Sequence, residues 1–467
     1  MENWRFTMYT IKRITALVCM LPFAALAQEK PAVSKLKNEA KKECPQVQSM
    51  VSQLKPRGSA EKSVLLQEKM MQEKPVLSLD IILKRIDSNN LLLQSYGLRA
   101  ESFKHTANAA TAWMAPMVGV GTFMTPYPGQ MIMDEGDKGS IMVQLEQDIP
   151  NPAKLKANKK FIESKGKVEN ATRGVTLNEY KAQAKRLYFG WLVAMQRIAV
   201  LKENEKIMQT MKKVEEIRYP FNQSKLSSVY RATAKIEENR NMIRMMEGDM
   251  AKSKAWLNSL MNNPGNMDFA IDSTYQPTYV PAAAIDTGSL AMVRKDIEKM
   301  DFSIQSMKLN IEAMQKQANP DFKLRFDHMS PLTKMMPKAY SIMGMVSIPI
   351  APWSSKMYKS EVKGMGYEVL AMEKEKAAML QETQGMLYGM QYEIQSMEKR
   401  IDAMEKTIIP TLKKTMDVSM LSYRENKMEL PEVIGTWEAL TMMQANVLDE
   451  KLKLYLMIVD YEKELYR

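Results

Sequence analysis

The chain has 467 residues, of which 26% are charged and 7% are aromatic, and its formal net charge at pH 7 is +12. Its lysines are spread along the sequence, without the basic cluster interleaved with aromatic residues that marks nucleic-acid-binding proteins. The charge therefore indicates solvated helix faces, and we expect no nucleic acid among the partners. A chain of this length usually forms about three globular domains, but an internal repeat changes that expectation.

The N-terminal residues are typical of a secretory signal peptide. Lys12 and Arg13 precede an apolar run that ends, at Ala27, in the small residues that signal peptidase requires. We therefore expect residues 1–27 to be removed on export and residues 28–76 to form an N-terminal extended segment.

From residue 77 onward the hydrophobic pattern predicts helices and strands. A helical pattern runs from Leu79 to Trp113, and short strands are indicated around Met117–Thr125 and Ser140–Gln147. No proline interrupts residues 153–219, so a very long helix follows, which at about 1.5 Å per residue would be roughly 100 Å long.

The same order of elements returns in the second half. Phe322, Leu324 and Phe326 alternate with polar residues in a predicted strand, and a partner strand runs from about Ser341 to Ile348. Residues 353–409 are again free of proline. Each half then ends with a turn and another helix.

Residue patterns at the turns recur together with the elements. We therefore infer two copies of one structural unit, at residues 77–285 and 286–467. The anchors are Tyr219, Asn222, Leu226 and Val229, which return about two hundred residues later as Tyr423, Asn426, Leu430 and Val433.

Beyond the signal peptide the sequence predicts no transmembrane helix, because no apolar run reaches about 18 residues. A membrane-spanning role then requires strands that pair with one another into a closed barrel, so that no strand edge is left unpaired. Four predicted strands per chain are too few for closure, whereas three chains would supply twelve. The strand arithmetic therefore predicts a homotrimer.

Together these features resemble the TolC family of outer membrane efflux channels, from about Leu77 to the C-terminus. The resemblance implies a mixed α and β membrane protein, in which four β-strands per chain form a 12-stranded trimeric β-barrel above a long periplasmic α-helical coiled-coil barrel. It is carried by the duplicated layout, the repeated Tyr-x-x-Asn-x-x-x-Leu-x-x-Val turn, Pro150-Asn151-Pro152, Pro349-Ile350-Ala351-Pro352 and Leu77-Ser78-Leu79-Asp80.

The resemblance also implies a function and partners. The protein would be a passive export duct in the outer membrane lipid, coupled to an inner-membrane pump and a periplasmic adaptor protein, with no cofactor. The two repeated turns would be the periplasmic tips that dock on the adaptor. The residues expected to make this contact are Tyr219, Asn222, Leu226, Tyr423, Asn426 and Leu430.

Two departures from the family pattern concern the tips. The family usually has glycine where this chain has Asn222 and Asn426, and asparagine is the residue that best replaces glycine in a left-handed turn. Family members often carry two acids that ring the closed pore, but the matching positions here are Glu432 and Gly435. We expect the pore constriction at Met428 and Glu432, with a looser or differently gated entrance.

The sequence does not indicate an enzyme. It contains no glycine-rich phosphate loop and neither a GxSxG nor an HExxH motif. The only imidazoles are those of His105, on a predicted helix, and His328, in a predicted loop. Both are interpreted as ordinary polar residues.

Methionine is unusually frequent, with 44 residues. Many recur at heptad spacing on the long helices, as Met372, Met379 and Met386 do, and this pattern favours packing in a helical seam. Methionines outside any predicted core favour a second interpretation, because thioethers bind the soft ions Cu(I) and Ag(I). The candidate ligands are Met335, Met336 and Met428.

Alternative functions remain open at this point. A channel for multidrug efflux or for type I protein secretion would share the fold and cannot be separated from a copper or silver duct by the sequence. A periplasmic coiled-coil adaptor belongs to a different class, and it would lack the alternating strand pairs.

Overall fold

A computed structural model describes residues 75–134, 138–282, 285–334 and 336–467. The expected signal peptide, nearly all of the extended segment and Met335 lie outside the described residues. The strands are β1 (Val76–Leu77), β2 (Met117–Phe123), β3 (Ser140–Ile149), β4 (Ala270–Ile271), β5 (Phe322–Pro331) and β6 (Ala339–Val346). The α-helices are α1 (Leu79–Asn89), α2 (Leu91–Ala109), α3 (Pro152–Arg218), α4 (Leu226–Leu260), α5 (Thr287–Val293), α6 (Lys295–Gln315), α7 (Pro352–Ala403), α8 (Ile409–Arg424) and α9 (Leu430–Glu464).

The first predicted helix is in fact two helices, because Asn90 interrupts it. The backbone of Asn90 is extended, and its side-chain oxygen accepts hydrogen bonds from the Leu92 and Leu93 amides at the start of α2. Its amide nitrogen donates to the carbonyl of Leu260, 3.0 Å away at the end of α4. The prediction of one helix over 79–113 was therefore wrong, because Asn90 ends one helix and caps the next.

The long helix of the first copy is confirmed. The 67 residues of α3 begin at Pro152, with the Asn151 side chain accepting a hydrogen bond from the amide of Ala153. Proline at the first helical position costs no hydrogen bond, since that amide would lack a partner anyway. Within the residues that the structure describes, none of the helices combines the length and the apolarity needed to cross a lipid bilayer.

In the second copy the long helix continues through Pro410. A π-helical turn, Met404–Ile408, separates α7 from α8. Proline has no amide hydrogen, and its ring would clash with the carbonyl four residues earlier in a regular helix. The wider π turn relieves that clash, so the helical chain reaches Arg424 instead of ending at the proline.

The strands of both copies form one antiparallel sheet in the order β2-β3-β5-β6. The two copies meet where β3 pairs with β5, in a register that runs from Ser140 opposite Pro331 to Ile149 opposite Phe322. This pairing makes β5 longer than predicted, so His328 and Met329 lie in the strand instead of in a loop.

The largest hydrophobic core lies midway along α3. Tyr188 and Phe189 are almost completely buried there, and the Phe189 ring lies 5.6 Å from the Tyr455 ring of α9. The short parallel pair β1–β4, which places Leu77 beside Ile271, packs into the same core. Helices α2 and α4 of the first copy and helices α6 and α9 of the second all pack along α3, so α3 contacts both copies.

Asn90 offers a test of this fold. Asn90→Ala removes the cap of α2 and leaves the Leu260 carbonyl without its side-chain donor, so we expect a loss of about 2 kcal/mol in the free energy of unfolding. Asn89→Ala, at the exposed neighbouring position, is the control and should change stability little. Denaturant unfolding of both variants measures the difference, and equal stability would contradict the capping role.

Candidate functional site at the hairpin tips

Each long helical hairpin ends in a turn with the same backbone conformation. Asn222 and Asn426 have positive φ angles of 57° and 63°. The Asn222 amide donates to the carbonyl of Tyr219, and the Asn426 amide donates to that of Tyr423, each over 3.1 Å. The expectation that asparagine replaces glycine in a left-handed conformation is confirmed. We call residues 218–226 tip 1 and residues 423–430 tip 2.

The two tips differ in burial although their sequences match. In tip 1, Tyr219 is 44% exposed and Leu226 is 42% exposed. In tip 2, Tyr423 is 1% exposed and Leu430 is 3% exposed, and both pack in a hydrophobic cluster with Trp437. The same spacing therefore directs these two side chains outward in one copy and inward in the other. The side chains of Tyr423 and Leu430 are therefore buried within the chain, whereas those of Tyr219 and Leu226 lie at its surface.

A buried carboxylate, which the sequence analysis missed, connects the two tips. Glu215, near the end of α3, is only 3% exposed. Its carboxylate accepts hydrogen bonds from the Ser224 hydroxyl of tip 1 and from the Tyr423 hydroxyl of tip 2. A glutamate in a lysine-rich helix is typical of a solvated face, so no sequence signal distinguished this one.

Arg218 makes a second connection between the tips. Its guanidinium lies 4.7 Å from the centre of the Tyr423 ring. It also donates to the carbonyls of Tyr423 and Arg424, where α8 ends and a cation is favoured by the helix dipole. Tip 1 is therefore bound to tip 2 through two charged residues of α3, the acid Glu215 and the base Arg218.

The Tyr423 hydroxyl remains a donor at ordinary pH. Burial raises the pKa of the Tyr423 phenol above its usual range, and the hydrogen bond to the Glu215 carboxylate raises it further. A phenolate beside a buried carboxylate would bring two negative charges together. The hydroxyl therefore stays protonated and holds Glu215 in place.

A cavity of about 430 Å³ lies between the tips. Its lining includes Glu215, Arg231 and Met428, so charges of both signs and one thioether face it. Met428 is half-buried and also packs against the cluster of tip 2, whereas Glu432 is exposed on α9. The cavity is suited to binding polar groups, and its described residues include no His, Cys, Asp and Glu group of three or more that could hold a metal ion.

The two candidate metal ligands that the structure describes do not form one site. Met336 is 50% exposed at the strand end of the second copy, and Met428 lies at the tip. The helical stretch from Pro352 to Arg424 separates them and spans roughly 110 Å at about 1.5 Å per residue. Any role in metal passage would be at separate points along the chain.

The heptad methionines mostly pack. Met379 and Met390 lie against the main core, and Met397 is 6% exposed within it. The sulfur of Met365 accepts a hydrogen bond from the amide nitrogen of Asn310 on α6, 3.2 Å away. These contacts agree with the interpretation of the seam methionines as packing residues.

The architecture matches solved outer membrane channels of the TolC family. The chain is similar to the open state of MtrE from Neisseria gonorrhoeae, at 15% identity and a TM-score of 0.64, covering 83% of this chain and 88% of that one. It is similar to CusC at 15% identity and a TM-score of 0.66, covering 83% and 91%, and to VceC from Vibrio cholerae at 13% identity and a TM-score of 0.63, covering 83% and 95%. No protein-family model matches the sequence, and no curated protein matches it. The predicted TolC-like fold is thus confirmed.

The Glu215–Tyr423 contact can be tested against a matched position in the other copy. Tyr423→Phe keeps the ring but leaves the buried carboxylate with one donor fewer, so we expect a loss of about 1–3 kcal/mol in the stability of the tips. Tyr219→Phe, at the exposed equivalent in tip 1, should change stability by less than about 0.5 kcal/mol. Amide hydrogen exchange in α8 and the start of α9 measures this, and equal protection in both variants would contradict the link.

Proposed function

We propose that this protein is the outer membrane channel of a tripartite efflux system. In this role it is a passive export duct that works with an inner-membrane pump and a periplasmic adaptor. The observation that carries the proposal is the combination, in one chain, of the outer-membrane-channel fold with a four-stranded sheet that is apolar on one face.

The sheet has two chemically different faces. Val118, Val120 and Ile342 lie on one face and are 65–75% exposed in the single chain. The opposite face carries the ion pairs that Lys323 makes with Glu146 and Asp148. An exposed apolar face suits lipid, and a charged face suits a water-filled interior.

The edges of the sheet support a trimer. Within the described chain, β2 pairs only with β3 and β6 pairs only with β5. Unpaired edges of two apolar-faced strands invite pairing with another copy. Three chains would supply twelve strands, so the proposed assembly is a homotrimer whose 12-stranded barrel lies in the outer membrane and whose helices extend into the periplasm.

Tip 1 is the better candidate for adaptor docking. Phe221 is 71% exposed, beside the half-exposed Tyr219 and Leu226. An exposed aromatic and aliphatic group on a turn is a usual protein contact, whereas Tyr423 and Leu430 are internal. Asn222 and Asn426 act through the backbone turn, and Met428 and Glu432 are the proposed constriction.

For the exported substrate we propose Cu(I) or Ag(I). The transient ligands would be the exposed Met336, its sequence neighbour Met335 and the half-buried Met428. Multidrug export and type I protein secretion are the alternatives, because both use the same fold. A soluble periplasmic adaptor is disfavoured by the four-stranded sheet with its apolar face.

The assembly is tested by extraction. We expect the mature protein to leave the membrane only with detergent and to run as a trimer that heat converts to a monomer, because the strand edges are satisfied only between chains. Gel mobility before and after heating, together with cross-linking, measures this. Recovery of a water-soluble monomer from periplasmic extracts would rule the proposal out.

Docking is tested at Leu226. Leu226→Glu puts a charge on the exposed surface of tip 1, so export should be lost while trimers persist. Leu226→Met, a swap that nearly conserves volume, is the control and should export normally. Toxicant tolerance of a deletion strain carrying each variant measures export, and normal tolerance with Leu226→Glu would place docking elsewhere. Leu430 is unsuitable for this test, because its burial means that a charge there would disrupt the tip itself.

A further inference from the structure

Two methionines lie opposite each other on the polar face of the sheet. Met142 of β3 is the register partner of Met329 of β5. Directly opposed residues of antiparallel strands project to the same face, with Cβ atoms about 4.5–5.5 Å apart. The extension of β5 beyond the predicted strand end creates this pair, so it is visible only in the structure.

The neighbours of the pair leave it accessible. Across the sheet, Met142 lies beside Gly121 of β2, and Met329 lies beside Ala339 of β6. A Cβ added at Gly121 would meet no atom within 4 Å, so the space over this part of the sheet is open. Both methionines are half-buried, and small residues flank them on either side.

Apolar packing does not account for the pair. The next residues of the same strands on the same face are Gln144 and Asp327, which are polar. Neither Met142 nor Met329 belongs to a hydrophobic cluster of the described chain, whereas Met379 of the helical seam packs against the main core. A thioether on a polar face gains little from burial, so another property of sulfur is the better explanation.

The charge on this face favours a cation. The four strands carry three acidic residues and two basic ones, so the acids exceed the bases by one. They are Glu146, Asp148 and Asp327, and Lys323 and Arg325. All five side chains lie on the face that carries the two methionines, because successive residues of a strand point to opposite faces and the apolar residues occupy the other face. The surroundings therefore attract a positive ion, and the opposed sulfurs select a soft one.

We propose that Met142 and Met329 form a binding site for a soft monovalent cation, Cu(I) or Ag(I), held between the two thioether sulfurs. Two such ligands bind an ion weakly enough to release it, as a point of passage requires. The use of this site in export rests on the proposed function, but binding itself does not. His328, the neighbour of Met329, faces the apolar side and takes no part.

Silver binding to the full-length protein, purified in detergent and in chloride-free buffer, tests the site. Equilibrium dialysis with silver nitrate should show that M142L/M329L binds one Ag(I) fewer per chain than the parent protein. M379L/M390L, which changes two seam methionines, is the control and should bind as the parent does. Leucine nearly conserves the volume of methionine, so all variants should fold.

A second measurement on the unmodified chain locates the ion. Peroxide oxidises a free thioether to the sulfoxide, and a bound metal ion blocks the sulfur lone pair that reacts. Ag(I) should therefore slow the oxidation of Met142 and Met329, read by peptide mass spectrometry, more than that of the exposed Met292.

Equal silver binding by the parent and M142L/M329L, or oxidation of the pair at an unchanged rate, would overturn the site. Neither result would affect the export duct, whose failure appears instead as the recovery of a water-soluble monomer.

Discussion

The pairing of β3 with β5 is the contact on which the rest of the structure depends. It joins the two copies along ten residues of each strand, and its register determines where the long helices begin relative to the sheet. The junction is reinforced by Asp321, whose carboxylate accepts from the Asn151 amide at 2.9 Å and pairs with Lys154. The start of α3 is thus attached to the second copy just before β5, and a shift in register would displace the helix together with the strand.

Away from the sheet, the buried apolar side chains of the described helices form two large clusters and a small one around Ile198. The main core surrounds Tyr188 midway along α3, and a smaller cluster around Trp437 fills tip 2. Isolated helices gain little from intrinsic propensity, so the segments between the cores depend on packing against neighbours and on ion pairs such as Arg197–Asp449. Glu215 and Arg218 then connect the hairpins at the tips.

The methionines show how one residue type serves different purposes in one chain. Met390 packs against a helical core, whereas Met142 and Met329 lie among polar neighbours. Composition alone reveals only that methionine is abundant. The physical setting of each sulfur, apolar and enclosed or polar and open, decides whether packing or binding accounts for it.

The sequence by itself determined the repeated order of elements, the long helices and the left-handed turns, because these depend on local patterns of apolar residues, proline and asparagine. It failed at Asn90, where a cap requires the distant Leu260 carbonyl. It also did not indicate the π turn that accommodates Pro410. Only the tertiary structure decided that Leu430 is buried while Leu226 is exposed, and that Glu215 lies between the tips. Burial and long-range hydrogen bonds depend on which parts of the chain pack together in the fold. The turn residues match in the two copies, so their local pattern cannot indicate which copy packs inward.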